Sequence, residues 1–200
     1  MYEIHTTTYE SPIGRLYLAE QDGLLIGLWM EGQKYFGQSG GKTVWPISYL
    51  EEEVIAISTR KGKTNVRVVK QANEERRLPE PLALAAEWLD CYFAGKRPDG
   101  IQVPLAPKGS PFRQSVWEAL QEIPYGETAT YGEIARRLEK KAENGKMSAR
   151  AVGGAVGHNP IGILIPCHRV IGADGSLTGY AGGVERKAWL LAHERNLRWN

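Results

Sequence analysis

Cysteine is scarce in this sequence. Only Cys91 and Cys167 occur in 200 residues, with four histidines scattered along the chain. Two lone cysteines make no spaced disulfide framework and no Cys-x-x-Cys zinc site, so neither a disulfide nor a bound metal is expected. Long apolar runs are also missing, and nothing approaches the roughly 18 consecutive apolar residues of a membrane span. Met1-Tyr2-Glu3-Ile4-His5 lacks the basic and then apolar regions of a secretion signal. The expectation is a cytoplasmic protein with no membrane partner. Net charge is only +2, too little to announce a polyanionic partner by itself.

What is present is a 42% hydrophobic chain, enough to bury a core in one domain or two small ones. Arg15-Leu16-Tyr17-Leu18-Ala19, an Asp22-Gly23 turn and Leu24 to Trp29 predict a β-hairpin. Gly37, Gly40 and Gly41 mark a loop, Tyr49 to Thr59 reads as a short helix, and Val66 to Val69 as a short strand. Leu82, Ala85, Ala86, Leu89 and Phe93 share one helical face that ends at Gly95. Cys91 lies on that helix as a small packing residue. Pro98, Pro104, Pro107, Gly109 and Pro111 make 96–109 the expected linker, separating residues 1–95 from 110–200.

Three helices follow. Ser110 is an N-cap with Pro111 at the first helical position, and Phe112, Val116, Leu120 and Ile123 form an apolar stripe. Thr130-Tyr131-Gly132-Glu133 has capping-box spacing. Ser148 caps a third segment, Ala149 to Gly157, and the last two helices suggest a helix-turn-helix. Their connection, 139–147, is longer than that motif usually has. Ile161 to Ile165 reads as a buried strand leading to Cys167, and Val184 to Glu194 as a final amphipathic helix. Two stretches are basic: 136–150 carries a local charge of +4 and 60–77 carries +5. The second reads as a solvated loop.

Pro166-Cys167-His168-Arg169-Val170 is the chemical centre. A buried inert thiol is the commonest state of a free cysteine. Against it stand an imidazole next in sequence, a cationic Arg169, and flanking Pro166 and Gly172 that suggest a constrained turn. Cationic neighbours lower a thiol's pKa and raise its thiolate fraction. The two readings are evenly balanced on these residues alone. In an extended segment His168 and Cys167 point to opposite faces, so a bridging water would carry a proton between them. The other ring nitrogen needs an acceptor, and Glu194 is on offer; its alternative is a surface carboxylate.

Several motifs occur in order: Arg150-Ala151-Val152-Gly153-Gly154-Ala155, Asn159-Pro160, Pro166-Cys167-His168-Arg169-Val170, Gly179-Tyr180-Ala181-Gly182-Gly183 and Leu190-Leu191-Ala192-His193-Glu194. Together they resemble the 6-O-alkylguanine-DNA alkyltransferases, the methylated-DNA–protein-cysteine methyltransferases, over about residues 110–194. The resemblance implies an α+β protein of two small domains: an N-terminal ribonuclease-H-like domain of sheet and helix, and a C-terminal winged helix-turn-helix-like domain carrying the active site. It implies DNA repair without a cofactor, by irreversible transfer of an alkyl group from 6-O-alkylguanine, or 4-O-alkylthymine, to Cys167. His168 is then a base acting through water, Glu194 its orienting carboxylate, and Asn159 a hinge that braces the recognition helix. Tyr131 donates to the guanine ring and crowds the flipped nucleotide's phosphate. Backbone carbonyls of Cys167 and Val170 accept from the guanine amino group, the Ala181 N–H donates to the alkylated oxygen, and Tyr180 walls the pocket. The implied partner is double-stranded DNA, held in the minor groove without regard to sequence by a monomer; cooperative binding is left open.

The third helix points the same way on its own residues. Between Ala149 and Gly157 the only long side chain is Arg150. Major-groove readers need several side chains on base edges, and this helix has none. A smooth face of Ala151, Gly153 and Gly154 suits close approach to a minor groove, with Arg150 filling the gap left by an extruded base. The competing reading is a close helix–helix packing face. Three rival functions also stand: a lesion sensor without transfer, which typically replaces the cysteine; a cysteine hydrolase; and a transcription regulator, disfavoured by the lack of base-reading side chains.

Overall fold

The computed structural model describes residues 2–39, 42–43, 53–59, 62–70, 78–141 and 146–196. It divides into two compact units, Met1–Lys108 and Gly109–Asn200.

The first unit is a five-stranded sheet with a helix. The expected hairpin is β2 (Gly14–Gln21) with β3 (Leu24–Met30), closed by Asp22 and Gly23, both at positive φ. Before them runs β1 (Tyr2–Ser11), which the sequence reading left without an element. Two-residue strands β4 (Gln38–Ser39) and β5 (Lys42–Thr43) follow; Gly40 and Gly41 lie outside the described residues. Then come β6 (Glu53–Thr59) and β7 (Gly62–Lys70). The strand order is β3-β2-β1-β7-β6, with β1 and β7 parallel and the other neighbours antiparallel.

Two expectations are corrected here. Glu53–Thr59 is a strand and not the end of a helix, because Val54, Ile55 and Ile57 are β-branched and the segment finds a full-length partner in β7. Residues 62–70 of the second basic stretch are likewise a strand and not a loop: β7 contains the expected Val66–Val69 strand, extends it on both sides and pairs with both β1 and β6.

Strands β2 and β3 bury both faces, so they show continuous burial where a one-sided sheet would alternate. Tyr17 and Ala19 join Ile4, Ile26, Trp29, Phe36 and Ala106 in one cluster. The intervening Leu16 and Leu18 point to the other face, and α1 (Glu80–Phe93) packs on β1, β2 and β3 with Leu82, Ala85, Leu89 and Tyr92 buried. The segment expected as a linker takes part in this unit. Leu25 N–H donates to the Pro104 carbonyl at 2.8 Å, and Ala106 N–H to the Leu25 carbonyl at 2.8 Å. This satisfies the open edge of β3.

The second unit is helical. Ser110 caps α2 (Pro111–Gln121) by accepting from Arg113 N–H. Thr130 and Glu133 form the predicted reciprocal box at α3 (Tyr131–Lys141): Thr130 N–H to Glu133 at 2.7 Å, Glu133 N–H to Thr130 Oγ1 at 3.2 Å. Ser148 accepts from Ala151 N–H at 3.1 Å and starts α4 (Ala149–Gly157). Helices α2, α3 and α4 pack on one another around Val116, Trp117, Leu120, Ile134, Leu138, Val152 and Val156, and Trp117 Nε1 donates to the Ala155 carbonyl at 3.0 Å. A two-stranded parallel ladder joins β8 (Ala129–Thr130) to β9 (Val170–Ile171), and α5 (Val184–Asn196) closes the unit. Among the described residues no helix is long and apolar enough to cross a membrane.

Ile161 to Ile165 is not the expected strand. It is a run of turns, with Ile165 N–H on the Ile161 carbonyl at 3.1 Å and Ile163 at φ 66°. A β-branched residue at positive φ is a backbone outlier and needs strong local constraint. Asn159 supplies it.

Candidate functional site

The side chain of Asn159, 6% exposed, occupies the inside of that turn. Its Nδ2 donates to the Ile165 carbonyl at 2.8 Å and the Ile161 carbonyl at 3.3 Å, while its Oδ1 accepts from Ile161 N–H at 3.0 Å. The side chain also hydrogen-bonds the Cys167 thiol. An amide with two donors and an acceptor at the end of α4 therefore shapes the turn and delivers the sulfur.

Cys167 to Arg169 form a single 3-10 turn and not an extended segment, so the alternation argued from sequence does not apply. Cys167 is 7% exposed. Its surroundings differ from the expectation of a thiol activated by Arg169. Burial dominates and raises its pKa; the Asn159 hydrogen bond, the charge of Lys187 and the backbone N–H groups of Cys167 and His168 oppose it. The resting sulfur is therefore a thiol in a cradle prepared for an anion.

Arg169 turns away from the sulfur. Its Nε donates to Glu194 Oε2 at 2.8 Å, Nη2 to Glu194 Oε1 at 3.1 Å, and Nη1 to the Ile123 carbonyl at 2.7 Å. Glu194 is fully buried and also accepts from His168 Nε2 at 2.6 Å and Gly126 N–H at 2.9 Å. Burial raises the Glu194 carboxyl, but the His168 hydrogen bond and the hydrogen bonds and charge of Arg169 outweigh it and hold it far below the usual carboxylate range. It is an acceptor on every bond, which assigns the imidazole proton to Nε2. His168 Nδ1 is left as a lone pair: it is buried and has no hydrogen-bond partner among the described residues. Burial keeps the His168 pKa below its ordinary value, outweighing Glu194. The ring is a neutral base.

Lys187 was not singled out from the sequence. It is fully buried, and its Nζ donates to the Val170 carbonyl at 2.5 Å and the Thr178 carbonyl at 2.9 Å. The signal was present: Lys187 shares a helical face with Leu190, Leu191 and Glu194, where a lysine interrupts an inward stripe. Tyr131, at the start of α3, donates to the same Thr178 carbonyl at 2.9 Å. Gly179 next to it has φ 75°, and a Cβ there would lie 2.6 Å from the Tyr131 hydroxyl. The pKa values of Tyr131 and Tyr180 are both raised, first by burial and then by the nearness of Cys167, so both phenols remain protonated donors beside the sulfur. Ala181 is half-buried in the turn after Tyr180, where Gly183 N–H donates to the Tyr180 carbonyl at 3.2 Å.

On α4, Val152, Ala155 and Val156 face inward and Arg150, Ala151 and Gly154 are exposed. A Cβ on Gly153 would meet the Tyr131 ring at 3.7 Å, an ordinary contact, whereas one on Gly154 would meet nothing within 4 Å. Neither glycine is at positive φ. Among the described residues nothing packs against Gly154 to explain a glycine there.

The family model for the 6-O-methylguanine DNA methyltransferase DNA binding domain matches residues 111–196, and that for the ribonuclease-like domain of the same methyltransferase matches 4–107. The methylated-DNA–protein-cysteine methyltransferase of Methanosarcina acetivorans is 41% identical over 93% of this chain and 95% of its own. That of Mycolicibacterium paratuberculosis is 51% identical over 66% of this chain and 79% of its own. Among solved structures, Mycobacterium tuberculosis OGT in complex with DNA aligns at TM-score 0.68 and 38% identity, covering 96% of this chain and 94% of that one. The two-unit α+β architecture and this likeness define a DNA-repair alkyl-transfer protein. The chain belongs to the 6-O-methylguanine DNA methyltransferase family.

Proposed function

We propose that this protein repairs DNA by moving an alkyl group from 6-O-alkylguanine, and from 4-O-alkylthymine, onto Cys167 in one irreversible step. The observation that carries the reading is the buried thiol beside a histidine whose Nε2 is held by Glu194 at 2.6 Å and whose Nδ1 is an unused acceptor. The Cys167 proton passes to Nδ1 through water, the sulfur attacks the alkyl carbon, and the carbon–oxygen bond breaks. The electron pair goes to the base, where Tyr131 exchanges its Thr178 acceptor for the ring and donates as charge develops. A thioether has no good leaving group, so one molecule repairs one lesion.

Binding follows from the same unit. The face of exposed Ala151 and Gly154 and half-buried Gly153 lies along the minor groove, and Arg150 takes the place of the extruded nucleotide. Flipping is physically required because the alkylated oxygen lies inside the duplex. The carbonyls of Cys167 and Val170 receive the guanine amino group on their second lone pairs, the first being used by Val170 N–H and Lys187. Ala181 N–H meets the alkylated oxygen and Tyr180 walls the pocket. Every group in this scheme lies within residues 109–200 of one chain, so a monomer suffices.

Incubation with a duplex containing methylated guanine, followed by intact and peptide mass measurement, tests the reading. A single methyl on the Cys167 peptide is expected, with Cys167→Ser binding the lesion and transferring nothing. Continued turnover, or undiminished transfer by that variant, refutes it.

A further inference from the structure

Arg169 is the residue whose placement the reaction does not account for. A guanidinium is buried with a carboxylate although Glu194 already has the Gly126 N–H and the imidazole as donors. All three of its nitrogens are committed, two to Glu194 and one to the end of α2, and its plane lies over the Tyr125 ring, 5.4 Å from the centroid. None is directed at the thiol.

Charge counting gives this arrangement a purpose. A buried carboxylate with an imidazole as its only titratable partner is most stable as an imidazolium–carboxylate pair, because that pair is neutral overall. An imidazolium has no lone pair and takes no proton from a thiol. With Arg169 bound through both nitrogens, the carboxylate is already neutralised. Protonating His168 then leaves an unbalanced positive charge among groups shielded from bulk solvent: His168 and Glu194 are 0% exposed and Arg169 8%.

We propose that Arg169 is a positioning residue that keeps His168 neutral, and so proton-accepting, by cancelling the charge of Glu194. The inference rests on the alkyl-transfer reading of the site. The charged groups that act on His168 are Glu194 and Lys187 on α5 and Arg169 in the turn. Of these only Glu194 favours the imidazolium; Arg169 and Lys187 oppose it. The fork also fixes both carboxylate oxygens, which a point charge does not do.

The test uses the full chain as wild type, Arg169→Gln and Arg169→Lys, with folding checked by circular dichroism. Single-turnover methyl transfer from a methylated-guanine duplex is followed from pH 5.5 to 9, and the His168 ring nitrogens are read by NMR over the same range. In the wild type the ring is neutral at pH 7 with its proton on Nε2. In the Gln variant the acid limb moves to higher pH, so transfer at pH 6.5 falls about tenfold or more, within the range one base contributes, and recovers as pH rises. The Lys variant keeps the wild-type limb with a lower plateau, since it keeps the charge and loses the fork. If the Gln variant does not fold, Arg169→Met removes the charge at similar length. An unmoved limb in the neutral variants, equal movement in the Lys variant, or a wild-type imidazolium at pH 7 overturns the proposal. Should the wild type accept no methyl group, the function reading fails, and the NMR titration still decides the role of Arg169.

Discussion

Replacing Gly154 with alanine is expected to stabilise the protein and weaken its action on DNA at once. Gly154 is exposed on α4, has no positive φ, and has open space where a Cβ would go. Glycine inside a helix costs about 0.5–1 kcal/mol relative to alanine. The substitution should recover that amount, a melting-temperature rise of roughly 1–4 °C for a chain of this size. If the face seats in a groove, the added methyl holds the helix off its partner. Overpacking of this kind costs about 1–3 kcal/mol, or roughly five- to a hundredfold in affinity. Thermal melting measures the first effect. Duplex affinity of the Gly154→Ala and Cys167→Ser double variant against Cys167→Ser alone measures the second; transfer from the free methylated base by the single Gly154→Ala variant, which keeps Cys167, is the control that should not change. Destabilisation, or duplex affinity unchanged within twofold, refutes the assignment of this face to DNA.

Arg150→Ala should slow repair of a duplex by tenfold or more and leave reaction with the free methylated base nearly untouched; equal losses on both argue against a role in flipping. Lys187→Met should lower stability by about 1–3 kcal/mol, since the Val170 and Thr178 carbonyls lose a buried donor. It should also slow transfer at neutral pH, because the charge that favours the Cys167 thiolate is gone; melting curves and single-turnover rates separate the two effects. Acid should destabilise the C-terminal unit in two stages. The folded pKa values of His168 and Glu194 both lie below their unfolded values, so the unfolded chain binds the extra proton as pH falls. Stability is then complete above about pH 7, falls first below the unfolded imidazole value near 6.5, and falls again below the unfolded carboxyl value near 4.3. Urea denaturation from pH 8 to 3 measures this, and Glu194→Gln should remove the lower stage. A flat profile refutes the assigned charge states.

Local signals were legible wherever the chain's own neighbours decide the structure. Ser110, Thr130 with Glu133, and Ser148 start helices where their spacing says they do, because a cap is a contact within three residues. The hairpin at Asp22-Gly23 is of the same kind. Strand β6 was misread because its pairing with β7 decides its conformation, and β1 is held between its neighbour β2 and β7, which lies far along the chain. Ile161 to Ile165 looks like a strand by composition, and only Asn159 bonding across it makes it a turn.

The sequence by itself carried the signals from which Cys167 is proposed as the alkyl acceptor: one cysteine set between Pro166 and His168, ordered motifs around it, and a helix of small residues with a single arginine. Tertiary structure decided the charges. Adjacent in sequence, Arg169 was taken for the partner of the thiol, yet it neutralises Glu194, and the cation near the sulfur is Lys187 from another helix. Burial then reversed the expected direction at Cys167 and made a neutral base of His168. Desolvation and pairing depend on which groups the fold packs together, and nearest neighbours along the chain do not specify them.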